Sequence, residues 1–77
     1  MRDLLDMSLY HFELVGAGTV ASLDGALAED DLQAAGIALD LAEDLRTSKP
    51  WLIGKGYEVV VKDECGNEIG RVMFDPA

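Results

Sequence analysis

The sequence predicts a small α+β domain of order ββαββ, one amphipathic helix packed on a short antiparallel sheet. Three observations carry that prediction. Residues 8–15 alternate apolar and polar side chains with the period of a strand, residues 31–46 repeat with the period of a helix, and residues 57–74 hold two strand patterns around a turn. The chain has 77 residues, enough for one hydrophobic core and not for two.

Residues 1–7 form a leader, either frayed or a short helical turn, and residues 8–77 form the domain. In Ser-Leu-Tyr-His-Phe-Glu-Leu-Val, Tyr10, Phe12 and Leu14 share one face, and Leu9, His11, Glu13 and Val15 share the other. Gly16-Ala17-Gly18 offers permissive backbone for a tight reversal. Thr19–Leu23 then reads as a short partner strand that Asp24-Gly25 ends.

The helix has the clearest start and stop. Asp30 is a good N-cap, with Gln33 placed as its capping-box partner and Asp31 as the competing cap. Glu29, Asp30 and Asp31 lie where the helix dipole favours negative charge, and Arg46 lies where it favours a cation. Ala34, Ile37, Ala38, Leu41 and Leu45 make a continuous apolar stripe opposite Gln33, Gly36, Asp40, Glu43 and Asp44. Pro50 stops the helix, because a residue before proline resists the α region. Leu32, Ala35, Leu39 and Ala42 widen the arc beyond what one interface needs. Either the first strands, the leader or another subunit covers that flank.

After a loop through Trp51, Leu52 and Ile53, Tyr57–Lys62 reads as a strand with Tyr57, Val59 and Val61 on one face. Asp63–Asn67 is a turn, and Glu68–Phe74 returns, with Val72 and Phe74 the leading core residues.

Composition narrows the function classes. Apolar residues make up 49% and charged residues 27%, which is the make-up of a globular domain rather than a disordered chain. No apolar run is long enough to span a bilayer, and Asp3 and Asp6 interrupt any secretory signal. Cys65 is the lone cysteine, so no disulfide framework exists; a reducing, cytoplasmic setting is expected. The net charge is −9, and −8 of it falls on residues 1–46. Phosphate backbones need a basic patch, so nucleic-acid binding is not expected, whereas a basic protein partner is electrostatically favoured.

No constellation for catalysis emerges, and the chain reads as non-enzymatic with no cofactor and no metal. His11 has no second histidine or thiol to build a zinc site or a triad. Cys65 sits among Asp63, Glu64 and Glu68, which disfavour a thiolate. Helix capping accounts for Glu29-Asp30-Asp31, whose spacing matches no calcium loop. Gly16-Ala17-Gly18 is not followed by a helix, so a phosphate cradle is missing. Trp51 with Leu52 and Ile53 is expected to fold back over the core; the competing reading is an exposed partner anchor.

Tyr10–Leu14, Leu23-Asp24-Gly25, Asp31–Ala35, Trp51, Glu58-Val59, Asp63-Glu64, Gly66 and Phe74 together resemble a small domain family of unknown function found in rhizobia and related alphaproteobacteria. The resemblance spans residues 9–74. The chain departs from the family pattern at Gly16-Ala17-Gly18, where an Asp-Gly turn is usual, and at Met73, where proline is usual. It implies a fold and no catalytic residue. A weaker similarity, to HicB-type antitoxin domains, rests on the Gly-rich turn and the acidic helix, and implies a small basic toxin as partner; residues 1–77 hold no DNA-binding segment of the kind that follows such a domain.

The expected function is therefore a self-associating interaction or accessory module that uses a sheet edge or the Leu32/Leu39 flank. The alternative is an antitoxin-like inhibitor presenting Asp40, Glu43 and Asp44 to a basic partner.

Overall fold

The computed structural model describes residues 7–76; the predicted leader, residues 1–6 of it, lies outside them. The elements are β1 (Ser8–Gly16), β2 (Thr19–Ser22), β3 (Ala26–Ala28), α1 (Asp31–Ser48), a 3-10 turn (Pro50–Leu52), β4 (Glu58–Lys62) and β5 (Glu68–Met73). All strand pairs are antiparallel, in the order β2-β1-β4-β5, and β3 also pairs with β1. The helix lies across one face, touching β3, β4 and β5.

Ala17 and Gly18 form a two-residue reversal in which both φ angles are positive, 52° and 77°. That is the type I′ geometry whose twist suits a hairpin. Gly16 just before it lies opposite Tyr57. A Cβ there would stand 2.8 Å from the Tyr57 ring and 2.9 Å from its Cα, so only glycine fits without a shift.

The third strand was not expected. β2 pairs Glu13 with Ser22, and Leu23 N–H still bonds the Phe12 carbonyl at 2.8 Å. Farther on, Tyr10 faces Ala26 and Ser8 faces Ala28. The register has slipped by one residue, so Leu23-Asp24-Gly25 is a β-bulge rather than the end of a strand. Such a slip exchanges faces. Ala26 and Ala28 turn toward the helix, whereas unbroken alternation from Leu23 would have sent Leu27 inward; Leu27 is exposed instead.

A second bulge lies between β4 and β5. Val61 faces Gly70 and Lys62 faces Glu68, so Ile69 is extra and packs against the core. The regular strand opens at Glu58, one residue after the predicted start, although the Tyr57 carbonyl still accepts from Phe74 N–H at 3.0 Å.

Asp30 caps α1 in an extended conformation, and its carboxylate accepts from Gln33 N–H at 2.8 Å. Gln33 answers one residue earlier than a standard capping box, accepting from Glu29 N–H at 2.6 Å. Asp31 is free of capping and accepts from the Tyr10 hydroxyl at 2.8 Å, tying the helix start to the sheet. At the other end Arg46 Nη1 donates to the Phe74 carbonyl at 2.8 Å. The helix closes with Lys49 N–H on the Leu45 carbonyl, just before Pro50.

Ala34, Ala38 and Ala42 are all fully buried. Their methyl groups form a low ridge that lets the helix sit close to the sheet, while Ile37, Leu41 and Leu45 wrap its side. Beneath lie Tyr10, Phe12, Leu14, Val59, Val61 and Phe74. The Tyr57 and Phe74 rings meet edge-to-face at 6.4 Å between centroids.

Candidate interaction surface

The widened apolar arc of α1 resolves into two parts. Ala42 is fully buried and Ala35 half-buried, so the core absorbs them. Leu32 and Leu39 remain 82% and 56% exposed; no described strand covers them. Their spacing, with Gly36 between and Glu43 beyond, places Leu32, Gly36, Leu39 and Glu43 in one line along the helix. Asp40 and Asp44 flank that line. All three acids are exposed, and among the described residues their carboxylates have neither a salt bridge nor a hydrogen-bond partner.

Trp51 overturns an expectation. It does not fold over the core but stands 64% exposed, while its neighbour Leu52 packs inward. The tight 3-10 turn explains this, since successive side chains there point about 120° apart and only one can face the helix.

The sheet face away from the helix is organised in rows. Val20, Val15, Glu58 and Met73 make one row across the strands, and Ser22, Glu13, Val60 and Arg71 the next. Lys62 Nζ meets Glu13 at 3.0 Å; Arg71 holds Glu68 by two bonds, at 2.6 and 3.0 Å, and reaches Glu58 at 3.2 Å. Val60 lies between Glu13 and Arg71 in this row and is only 2% exposed. Met73, at the β5 edge, stays 72% exposed. Charge on this face is thus satisfied internally, unlike charge on the outer face of α1.

Titration behaviour follows the same contacts. The Tyr10 hydroxyl is pushed up to about 12, first by its bond to the Asp31 carboxylate and then by burial. Asn67 N–H, with the Cys65 and Gly66 amides, holds the Asp63 carboxyl below its usual range. Arg71 does the same for Glu68, whose carboxylate in turn strengthens the guanidinium's hold on its proton. These groups brace the fold: Asp63 closes the β4–β5 turn through Cys65 N–H and Asn67 N–H at 2.9 Å each.

The other sequence candidates stay apart. His11 is exposed on β1, and Cys65 is an exposed free thiol at the turn. Among the described residues no three His, Cys, Asp or Glu side chains gather into a metal-holding group. A cavity of about 70 Å³ lies between Ala35 of α1 and Ile69–Val72 of β5, well below the roughly 300 Å³ of a small-molecule site. Among the described residues no helix is long and apolar enough to cross a membrane.

Gly36 is the position whose interest the sequence hid. It reads as one more member of the polar face, and the signal that marks it is a glycine in mid-helix among better helix formers. Comparison of the chain with protein-family models, curated proteins and solved structures gives no match.

Proposed function

We propose that this chain is a non-enzymatic protein-interaction module whose contact surface is the outer face of α1. One observation carries the reading: Leu32 and Leu39 stand exposed in line on a helix whose other large aliphatic residues are at least partly buried. Isolated exposed leucines are ordinary, but two aligned on one helix face suit a partner's hydrophobic anchors. The unpaired Asp40, Glu43 and Asp44 support a basic partner, the antitoxin-like form of the reading. The test is affinity capture from the native cell extract at low and high salt, with wild type and Leu39→Asp. A basic partner lost both at high salt and on Leu39→Asp is the expected result; capture indifferent to both would refute the assignment.

Self-association is a second reading, favoured by a different feature. Among the described residues β5 is hydrogen-bonded on one side only, and its last residue, Met73, is exposed. An open edge is a template for pairing with a second copy. Light scattering at high micromolar concentration tests it. A dimer abolished by Met73→Lys is expected, and a strict monomer would rule it out.

A further inference from the structure

We propose that Gly36 is a notch at which a basic amphipathic segment of the partner crosses α1 closely, seated between Leu32 and Leu39 and facing Asp40 and Glu43. This rests on the preceding assignment of the outer face of α1 as the contact surface and adds where the partner sits and what chemistry it carries.

The case begins with a residue the fold itself does not require. Only proline is a poorer helix former than glycine, yet Gly36 lies well inside α1, Asp31–Ser48. The usual reasons for glycine are missing. Its φ is not positive, it caps no helix end, and a Cβ built there meets none of the described residues within 4 Å. Nothing in the described chain needs that space. A neighbouring backbone that approaches closely does need it, because glycine removes the side chain that would hold the two main chains apart. Leu32 and Leu39 border the gap, offering apolar contact on either side of the crossing.

Charge selects the occupant. Asp40, Glu43 and Asp44 lie beside the gap without partners among the described residues. A second copy crossing here would bring the same carboxylates together and set −9 against −9. A segment with an apolar ridge flanked by lysine or arginine satisfies both the leucines and the carboxylates. Ion pairs formed there gain from lying at the rim of a desolvated apolar contact.

The experiment is an amide chemical-shift titration of the full chain with a synthetic leucine–lysine peptide patterned as an amphipathic helix. A peptide of the same composition, scrambled to destroy the apolar face, is the control. For wild type, shifts are expected to concentrate on residues 32–43, with the scrambled peptide bound at least about tenfold more weakly. Gly36→Gln fills the notch with a better helix former, so the protein remains folded while peptide affinity falls at least about tenfold. Wild-type affinity in Gly36→Gln together with loss in Leu39→Asp would overturn the notch and leave the contact surface standing. Shifts spread evenly over Asp24, Glu29–Asp31 and Asp63–Glu64, with neither variant altering affinity, would reduce the binding to general charge attraction and overturn both. A dimer through α1 in the absence of peptide would overturn the basic occupant.

Discussion

Two positions on α1 make the same substitution in opposite senses and should respond unequally. Gly36→Ala adds a methyl group where none of the described residues stands within 4 Å; Ala38→Gly removes one from a fully buried site. The backbone term is shared and amounts to about 0.9 kcal/mol in favour of alanine. Burial of the methyl group adds about 0.8 kcal/mol at position 38 alone. Gly36→Ala should therefore stabilise by about 0.9 kcal/mol, and Ala38→Gly should destabilise by about 1.7 kcal/mol. A cavity left where the Ala38 methyl group had been would raise that cost rather than lower it. For a domain of this size each kcal/mol moves the melting temperature by about 4–8 °C, so both changes are measurable. Urea unfolding followed by circular dichroism reads them, provided the denaturant slope is unchanged. If Ala38→Gly cost no more than Gly36→Ala gained, the alanine ridge would not be a packed interface. If Gly36→Ala destabilised the free protein, the argument that the fold has no need of that glycine would collapse.

Asp30→Ala should cost about 1 kcal/mol of stability through loss of the cap on Gln33 N–H, seen in the same urea assay. Gly16→Ala should cost roughly 1–3 kcal/mol, because the new Cβ meets the Tyr57 Cα as well as its ring, and the backbone atom cannot swing away; normal stability would contradict the tight β1–β4 approach. The Asp63 and Glu68 carboxyls titrate lower folded than unfolded, so their stabilisation is complete above the ordinary carboxylate range and is lost as pH falls through it. Asp63→Ala should flatten the acid side of a melting-temperature profile. Tyr10 has the opposite sign: the folded state keeps its proton up to about 12, so stability falls as pH rises from about 10 toward 12, and Tyr10→Phe should remove that alkaline slope.

The legible parts of this fold are those specified locally. The Asp30 cap, the stop before Pro50, the Gly-rich reversal and the turn at Asp63–Asn67 each depend on residues within a few positions of one another. The alanine–leucine stripe likewise follows from helical period alone. β3 was illegible because Ala-Leu-Ala carries no strand preference; its pairing is imposed by β1 and by the extra residue in the bulge. The side taken by Trp51 depends on which of two adjacent apolar residues the helix end admits, and Leu52 fills that place. Period shows that Leu32 and Leu39 lie off the stripe, but only the assembled sheet shows that it does not reach them. Gly36 reads as an ordinary polar-face residue until the space above it is seen to be empty.

The pairing of β1 with β4 bears on the order in which the protein can form. β1 is the second strand of the sheet in space, yet its inner neighbour arrives only after the hairpin, the bulge and the whole of α1 have been laid down. During synthesis β1, β2, β3 and α1 can meet early, with one long edge of β1 still unpaired. Non-local pairing of this kind is slow, and an unfilled edge invites the wrong strand. The compact β4–β5 hairpin, closed by Asp63, fits that vacancy as a ready-made unit. Loosening its turn should therefore slow folding and increase aggregation during expression more than the loss of equilibrium stability alone would suggest.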